Sequence, residues 1–183
     1  PKGLGHAILT AESLILNEPF AVILPDMVID SNYNLQNLAL MKKNFEKSGV
    51  SSILLGKCKK SETQNYGIVK IENKKSKNTF FKINDVVEKP SPKKAPSNFF
   101  VAGRYVFSNE ILGYLHSEKP DSSGEIQLTG ALSNFLKDSK ILNGLLLKGD
   151  IHDCGNKLGY LIANLAFSFK DENIKREVLK YIK

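Results

Sequence analysis

Five apolar residues in a row, Phe20-Ala21-Val22-Ile23-Leu24, interrupt a chain that otherwise mixes apolar and polar positions in short blocks. Closed by Pro25-Asp26, the run predicts a central strand of a parallel sheet, covered on both faces. Ahead of it, Gly3-Leu4-Gly5-His6-Ala7 leads into Ile8, Ala11, Leu14 and Ile15. That stripe has helical spacing, so the glycines stand at the entry to an amphipathic helix. Behind it, Leu35, Leu38, Ala39, Lys42 and Phe45 mark a second helix, with Asn34 as N-cap and Gly49 as its stop. Ser51 to Leu55 reads as the next strand. Strand, helix, strand in this order predicts a βαβ unit with a right-handed crossover.

From Lys57 to Thr79 the texture turns polar and lysine-rich, broken by Tyr66-Gly67-Ile68-Val69 and followed by Phe80-Phe81-Lys82-Ile83. These predict half-exposed antiparallel hairpin strands added to the parallel core. Gly67 inside a strand pattern marks either a close approach by a ligand or backbone, or a bulge. Asp85-Val86-Val87-Glu88-Lys89-Pro90 is a short apolar run ending in an acid, a base and a proline, followed by a linker from Ser91 to Pro96. Phe99 to Phe107 is a strand with Gly103 at its centre. Ser108 or Asn109 caps a short helix carrying Ile111, Leu112 and Leu115, with His116 as a partner for its C-terminal dipole. Gly124 to Thr129 enters a helix through Leu132, Phe135 and Leu136. Short strands from Leu145 to Lys148 and toward His152 end at Asp153-Cys154-Gly155. Leu158, Leu161, Ile162, Leu165, Ala166 and Phe169 define the longest helix, started by Asn156 or the adjacent turn, and a basic helix from Glu172 to Ile182 follows. There is no internal repeat.

With 183 residues, 42% of them hydrophobic and 25% charged, the chain suits one domain or part of one. No apolar run approaches the roughly 20 residues that span a bilayer, and no signal-peptide layout opens the chain, so a cytoplasmic protein without a membrane partner is expected. The chain opens at Pro1 without a methionine and reads as if it begins within something longer. Cys58 and Cys154 are far apart and fit neither a disulfide framework nor a zinc pattern, which predicts reduced thiols. The net charge of +7 is spread over Lys59-Lys60, Lys74 to Lys77 and Lys93-Lys94 in turn-like stretches. No aromatic-interleaved basic strand accompanies them, so a solvated surface that attracts phosphates is expected, with no nucleic-acid partner.

The chemistry clusters at strand ends. A carboxylate accepts hydrogen bonds from sugar hydroxyls and a neighbouring ammonium offsets a phosphate, so Glu88 and Lys89 suit a sugar phosphate. Asp26 follows the Phe20 strand, where ligands gather in parallel sheets, and Asp30 is close by. The backbone around Gly5 offers N–H groups to a ligand at a helix start.

Five strings in this order, GLGHA, LPD, YGIV, VEKP with APSN and GRY, and GEIQLT with HDCGNKLGY, closely resemble the bacterial UTP–glucose-1-phosphate uridylyltransferases, or UDP-glucose pyrophosphorylases. The likeness runs from Pro1 to about Phe169. It implies an α/β, Rossmann-like nucleotidyltransferase fold with a mixed, mostly parallel sheet and added antiparallel hairpin strands. It also implies that UTP and glucose 1-phosphate are joined, with Mg²⁺, into UDP-glucose and pyrophosphate. By the same resemblance Asp26 and Asp153 would bind Mg²⁺, Gly5 would border the nucleotide, and Gly67 and Glu88 would hold the glucose hydroxyls. Lys89 would take the sugar phosphate, Gly103 would leave room for the sugar, and Lys89 and Asp26 would be the catalytic residues. Nucleotidyl transfer is an in-line attack of a phosphate oxygen on the α-phosphorus, which needs positioning and charge neutralisation more than a covalent nucleophile.

Two departures stand out. Gly130 replaces the acid that usually follows GEIQLT in the family, so a role of that acid is lost or displaced. The family's glycine-rich, arginine-containing phosphate loop lies in a region that would precede Pro1. On that basis the fold is expected to be N-terminally incomplete, the Phe20 strand to show an unpaired edge and open apolar faces, and the chain alone to be inactive. A related nucleotidyltransferase using TTP or CTP and a non-catalytic binding relic are the rival expectations, and a homo-oligomer is the expected assembly.

Overall fold

The computed structural model describes residues 2–29, 31–72 and 79–182. In chain order the elements are α1 (Leu4–Thr10), α2 (Glu12–Ile15), β1 (Phe20–Ile23), β2 (Met27–Ile29), α3 (Ser31–Ser48), β3 (Ser51–Lys57), a 3-10 helix (Lys60–Asn65), β4 (Gly67–Ile71) and β5 (Phe80–Glu88). They continue with β6 (Phe99–Phe107), α4 (Ile111–Ser117), α5 (Leu128–Lys137), β7 (Leu142–Leu146), β8 (Ile151–Asp153), α6 (Lys157–Ser168) and α7 (Glu172–Tyr181).

Successive strand residues point to opposite faces, and β6 shows why its sequence is apolar almost throughout. Phe99, Tyr105 and Phe107 enter one core with Ile8 of α1, Ile111 and Leu115 of α4 and Leu132 and Phe135 of α5. Phe100, Ala102 and Val106 enter a second core with Met27, Ile29 and Met41. β3 divides the same way, Ile53 and Leu55 to the first core and Leu54 to the second. In β5, Ile83 and Val86 share the first core although three positions apart. The register slips between Lys70 and Ile71 there, and the extra residue restores the face.

Six strands form one sheet in the order β1-β6-β3-β7-β5-β4, with β4 also paired to β6, and β2 and β8 form a second, two-stranded sheet. The main sheet is mixed, as expected, but not mostly parallel. Among the described pairings β3 with β7 is the parallel one, while β6 runs antiparallel to β1, β3 and β4, and β5 to β4 and β7. An apolar run signals cover on both faces and carries no information on strand direction. β6 lies between β1 and β3 and opposes both, so the helix α3 connects parallel strands that are not neighbours.

β1 is therefore not central. Phe20 and Val22 pack toward the first core, whereas Ala21 and Ile23 are exposed, Ile23 by 52%. Among the described residues β6 is its one partner. An apolar groove of about 600 Å³, lined by Phe20, Ala21, Leu38, Phe45 and Val106, runs beside it. The unpaired edge and open apolar face expected for this strand are both present.

Smaller differences have local causes. The first helix breaks at Ala11 into α1 and α2, and Leu14 is exposed. α3 begins at Ser31, ahead of the expected cap Asn34, and its 18 residues make it longer than the 12 of α6. Gly49 stops it with φ 66°. α4 has no side-chain cap from Ser108 or Asn109, and His116 at its end pairs with Glu12 at 2.8 Å. Asn156 caps α6 as expected, accepting from the Gly159 N–H at 2.8 Å. Cys58 and Cys154 are free thiols. Asp30 and Lys74 to Lys77 lie outside the described residues. No helix among the described residues is long and apolar enough to cross a membrane.

Candidate active site

The hairpin of β4 and β5 brings a glycine, an acid and a base together at its mouth. Gly67, the first residue of β4, is paired with Glu88, the last of β5. Lys89 then leaves the strand with φ 41°, a left-handed conformation that a lysine adopts under constraint. Its N–H donates to the Tyr66 carbonyl at 3.1 Å, and its ammonium stands 3.8 Å from the Glu88 carboxylate. A Cβ added to Gly67 would lie 3.0 Å from Thr129 Cγ2 and 3.4 Å from Glu88 Oε2. The slip in register is at Lys70, so Gly67 does not sit at the bulge, and the atoms that crowd it belong to side chains.

The second half of the site comes from distant turns. β1 ends in the Leu24-Pro25-Asp26 turn, and β2 and β8 then pair so that Met27 faces Asp153. The Cys154 N–H donates to the Asp26 carbonyl at 2.7 Å, tying the two turns together. Between the carboxylates lies Gly155, where an added Cβ would meet Asp153 Oδ1 at 3.1 Å and Asp26 Oδ2 at 3.4 Å. The two acids thus converge on the face of Gly155, where a side chain would press on both carboxylates.

Asp153 is held at both oxygens. The Gly155 N–H donates to Oδ1 at 2.9 Å and the Tyr66 hydroxyl donates to Oδ2 at 3.0 Å. Burial first, and then the bond to and charge of Asp153, push the Tyr66 hydroxyl well above its ordinary range, so it stays a donor. Two hard oxygen donors beside an open space fit Mg²⁺, which takes one or two carboxylates and completes its shell with phosphate or water. Among the described residues there is no group of three or more metal-ligating side chains, so the pair would need those further oxygens.

One cavity of about 270 Å³ collects these parts: Asp26, Gly67, Glu88, Lys89 and Asp153 all line it. Tyr66, Tyr105, Gln127 and Thr129 line it as well. Tyr105 is buried, and burial followed by the charges of Glu88 and Asp26 raises its pKa. Thr129 brings a hydroxyl that is buried without a hydrogen-bond partner. None of these four is marked by residue type or spacing as a site residue, although the strings YGIV, GRY and GEIQLT contain them.

Two expected site residues stand elsewhere. Gly5 is buried, donates its N–H to the Ile126 carbonyl at 2.9 Å, and has room for no Cβ, which would lie 2.7 Å from that oxygen. Its neighbour Leu4 lines the cavity instead. Gly103 does not line it. With φ 65°, its added Cβ would meet Met27 and Leu24 at 3.0 and 3.1 Å, so its glycine serves the packing of the turn that carries Asp26. Gly130, at the third position of α5, faces the Glu118 carboxylate, which occupies the space a side chain there would enter and accepts from Asn134 Nδ2 at 3.1 Å. An acid from the loop before α5 thus stands beside the position that Gly130 leaves empty.

Comparison with known proteins gives the family. The family described as Nucleotidyl transferase matches residues 1–168. A Staphylococcus saprophyticus protein named UTP–glucose-1-phosphate uridylyltransferase 1 is 37% identical over 182 residues, taking in 100% of this chain and 62% of the relative. A Haemophilus ducreyi protein of the same activity name is 38% identical over 187 residues, 100% of this chain and 63% of the relative. The solved UDP-glucose pyrophosphorylase complexed with UDP-glucose superposes with a TM-score of 0.86 at 39% identity, covering 93% of this chain and 63% of that one. The UTP-bound enzyme from Acinetobacter baumannii gives 0.81 at 33%, covering 100% and 62%. The chain therefore spans about 62% of the length of these relatives. With the family matched across all but its last helix and the strand-end acids converging on one cavity, the chain belongs to the nucleotidyl transferase family.

Proposed function

We propose that the chain is the sugar- and metal-binding portion of a UTP–glucose-1-phosphate uridylyltransferase, which joins UTP and glucose 1-phosphate into UDP-glucose and pyrophosphate. The observation that carries this reading is the single cavity onto which Asp26, Gly67, Glu88, Lys89 and Asp153 converge from separate strand ends. The relatives' names supply the substrates.

In this reading the Glu88 carboxylate accepts hydrogen bonds from glucose hydroxyls, and Gly67 lets the ring approach the hairpin. The Lys89 ammonium, turned out by its left-handed backbone, pairs with the sugar phosphate and offsets the repulsion between two anions. The phosphate oxygen then bonds to the α-phosphorus as the bond to the bridging oxygen breaks, and the electron pair leaves with pyrophosphate. Asp26 and Asp153 would hold Mg²⁺, which when bound neutralises charge on the phosphates. Tyr66 and the Gly155 N–H keep Asp153 aimed at that position. A homo-oligomer is supported by the exposed apolar residues Leu158 and Leu161 of α6 and Ile174 and Leu179 of α7. The cytoplasm is the compartment such chemistry implies.

Calorimetric titration of the 183-residue chain with UDP-glucose, with and without Mg²⁺, tests the reading. Binding is expected to strengthen with Mg²⁺ and to weaken by about ten-fold in Lys89→Met, the size of one charge-assisted contact. Equal affinity for the thymidine and cytidine diphosphate sugars would move the assignment to a related nucleotidyltransferase. Absence of any binding would refute it. A parallel assay for UDP-glucose formation shows whether these residues suffice for turnover.

A further inference from the structure

We propose that Arg104 is the positioning residue for Asp26: its guanidinium ties the turn between β1 and β2 into the shape that presents the Asp26 carboxylate beside Asp153. The proposal rests on the reading of those two acids as the metal-binding pair.

Basic residues in this chain are lysines at twenty-four positions and arginines at two, Arg104 and Arg176. Arg176 is exposed on α7, whereas Arg104 is 6% exposed at the centre of β6. A planar fork of donors is the feature that separates arginine from lysine, and here it is used. Nη1 donates to the Leu24 carbonyl at 2.9 Å and to the Gly103 carbonyl at 3.1 Å, and Nη2 donates to the Met27 carbonyl at 2.8 Å. Leu24 and Met27 bracket Asp26, so one rigid group spans the turn from both sides.

Strand register explains how the side chain reaches there. Opposite β3, Ile53 pairs with Tyr105 and Leu55 with Val101, so Leu54 stands against Ala102, Gly103 and Arg104 together. The surplus residues leave the ladder as a bulge, turned by the positive φ of Gly103. The Leu24 N–H donates to the Gly103 carbonyl at 2.9 Å and fastens the turn to that bulge. Burial lowers the pKa of Arg104, and the charge of Asp26 opposes that shift in part. The guanidinium thus fixes the backbone that carries Asp26 from both sides of the turn.

Mn²⁺ serves as the probe, read by the electron paramagnetic resonance of the free ion and competed with Mg²⁺. Arg104→Lys and Arg104→Met are expected to weaken Mn²⁺ binding by about ten-fold or more, the usual effect of losing a group that orients a metal ligand. Metal-free binding of glucose 1-phosphate, which depends on Glu88 and Lys89, is expected to stay unchanged. That split between metal and sugar affinity is one that general loosening of the fold does not produce. With two arginines in the chain, ¹⁵N-arginine labelling gives a second readout on the unsubstituted protein that survives even if Arg104→Met fails to fold. Mn²⁺ is expected to broaden the Arg104 side-chain signal and to spare that of Arg176. Failure of the unsubstituted chain to bind Mn²⁺ would overturn the metal-pair reading and the role of Arg104 with it. Binding that persists unchanged in Arg104→Lys, or an Arg104 signal that Mn²⁺ leaves sharp, would overturn the role of Arg104 alone.

Discussion

Gly103→Ala is the substitution that most directly tests how β6 shapes the site. At φ 65° an alanine would occupy the left-handed region, at a cost of about 1–2 kcal/mol. Its Cβ would stand 3.0 Å from both Met27 Cβ and Cγ and 3.1 Å from Leu24 Cβ, closer than packed carbons settle, so the turn must shift. Overpacking of this kind costs about 1–3 kcal/mol. Restriction of the unfolded chain by alanine returns about 0.4–1 kcal/mol. The net expectation is a loss of about 2–3 kcal/mol. Urea unfolding followed by far-ultraviolet circular dichroism measures it as a lowered midpoint with an unchanged slope. Because the displaced residues flank Asp26, Mn²⁺ affinity should fall in the same variant. A loss below about 0.5 kcal/mol, the range of an ordinary surface substitution, would show that the bulge relaxes to accept a side chain and that the argument from φ and contacts is wrong.

Tyr66→Phe keeps the ring against Phe100, at a centroid distance of 4.7 Å, and deletes only the donor to Asp153. It is expected to lower stability by about 1 kcal/mol in thermal melting and to weaken Mn²⁺ binding; no change in either would mean that the Gly155 N–H alone fixes Asp153. Gly130→Asp puts an acid back at this position yet should destabilise by about 1 kcal/mol, because it dislodges Glu118 from Asn134 and sets two carboxylates together. In a Glu118→Ala background that cost should vanish, and an equal cost in both backgrounds would refute the displacement. Tyr66 and Tyr105 have pKa values raised above the ordinary 10.0, so the folded chain holds these protons more tightly than the unfolded one. Their contribution is fully present below that pH and is lost as pH rises past it. Tyrosinate absorbance should therefore show these two titrating only as the fold is lost; their reversible titration in the folded chain would contradict it.

What could be learned from the sequence was local. The strand end at Glu88 was legible because an apolar run closed by an acid, a base and proline predicts a strand that stops at its polar end. Asp26 and Asp153 were each legible as strand-end acids, and the ordered strings around them carried the family. Asn156 as a cap, Gly49 as a stop and the antiparallel pairing of β4 with β5 followed from chemistry within a few residues of each. What needed the tertiary structure was every relation between segments distant in the chain. Hydropathy reports how many faces of a strand are covered, which is why Phe20 to Leu24 resembled a central parallel strand when β6 in fact makes β1 an antiparallel edge. The bulge that gives Gly103 its φ depends on the register of β6 against β3, so its packing against Met27 and Leu24 could not be read from the sequence. The carbonyls that gather on Arg104 come from two strands and a turn, and no spacing rule joins them. Sequence determined which residues carry charge and where strands end, because those depend on side-chain type and short-range backbone preference; the fold alone decided which of those ends meet, because strand pairing and register are set by contacts between distant segments.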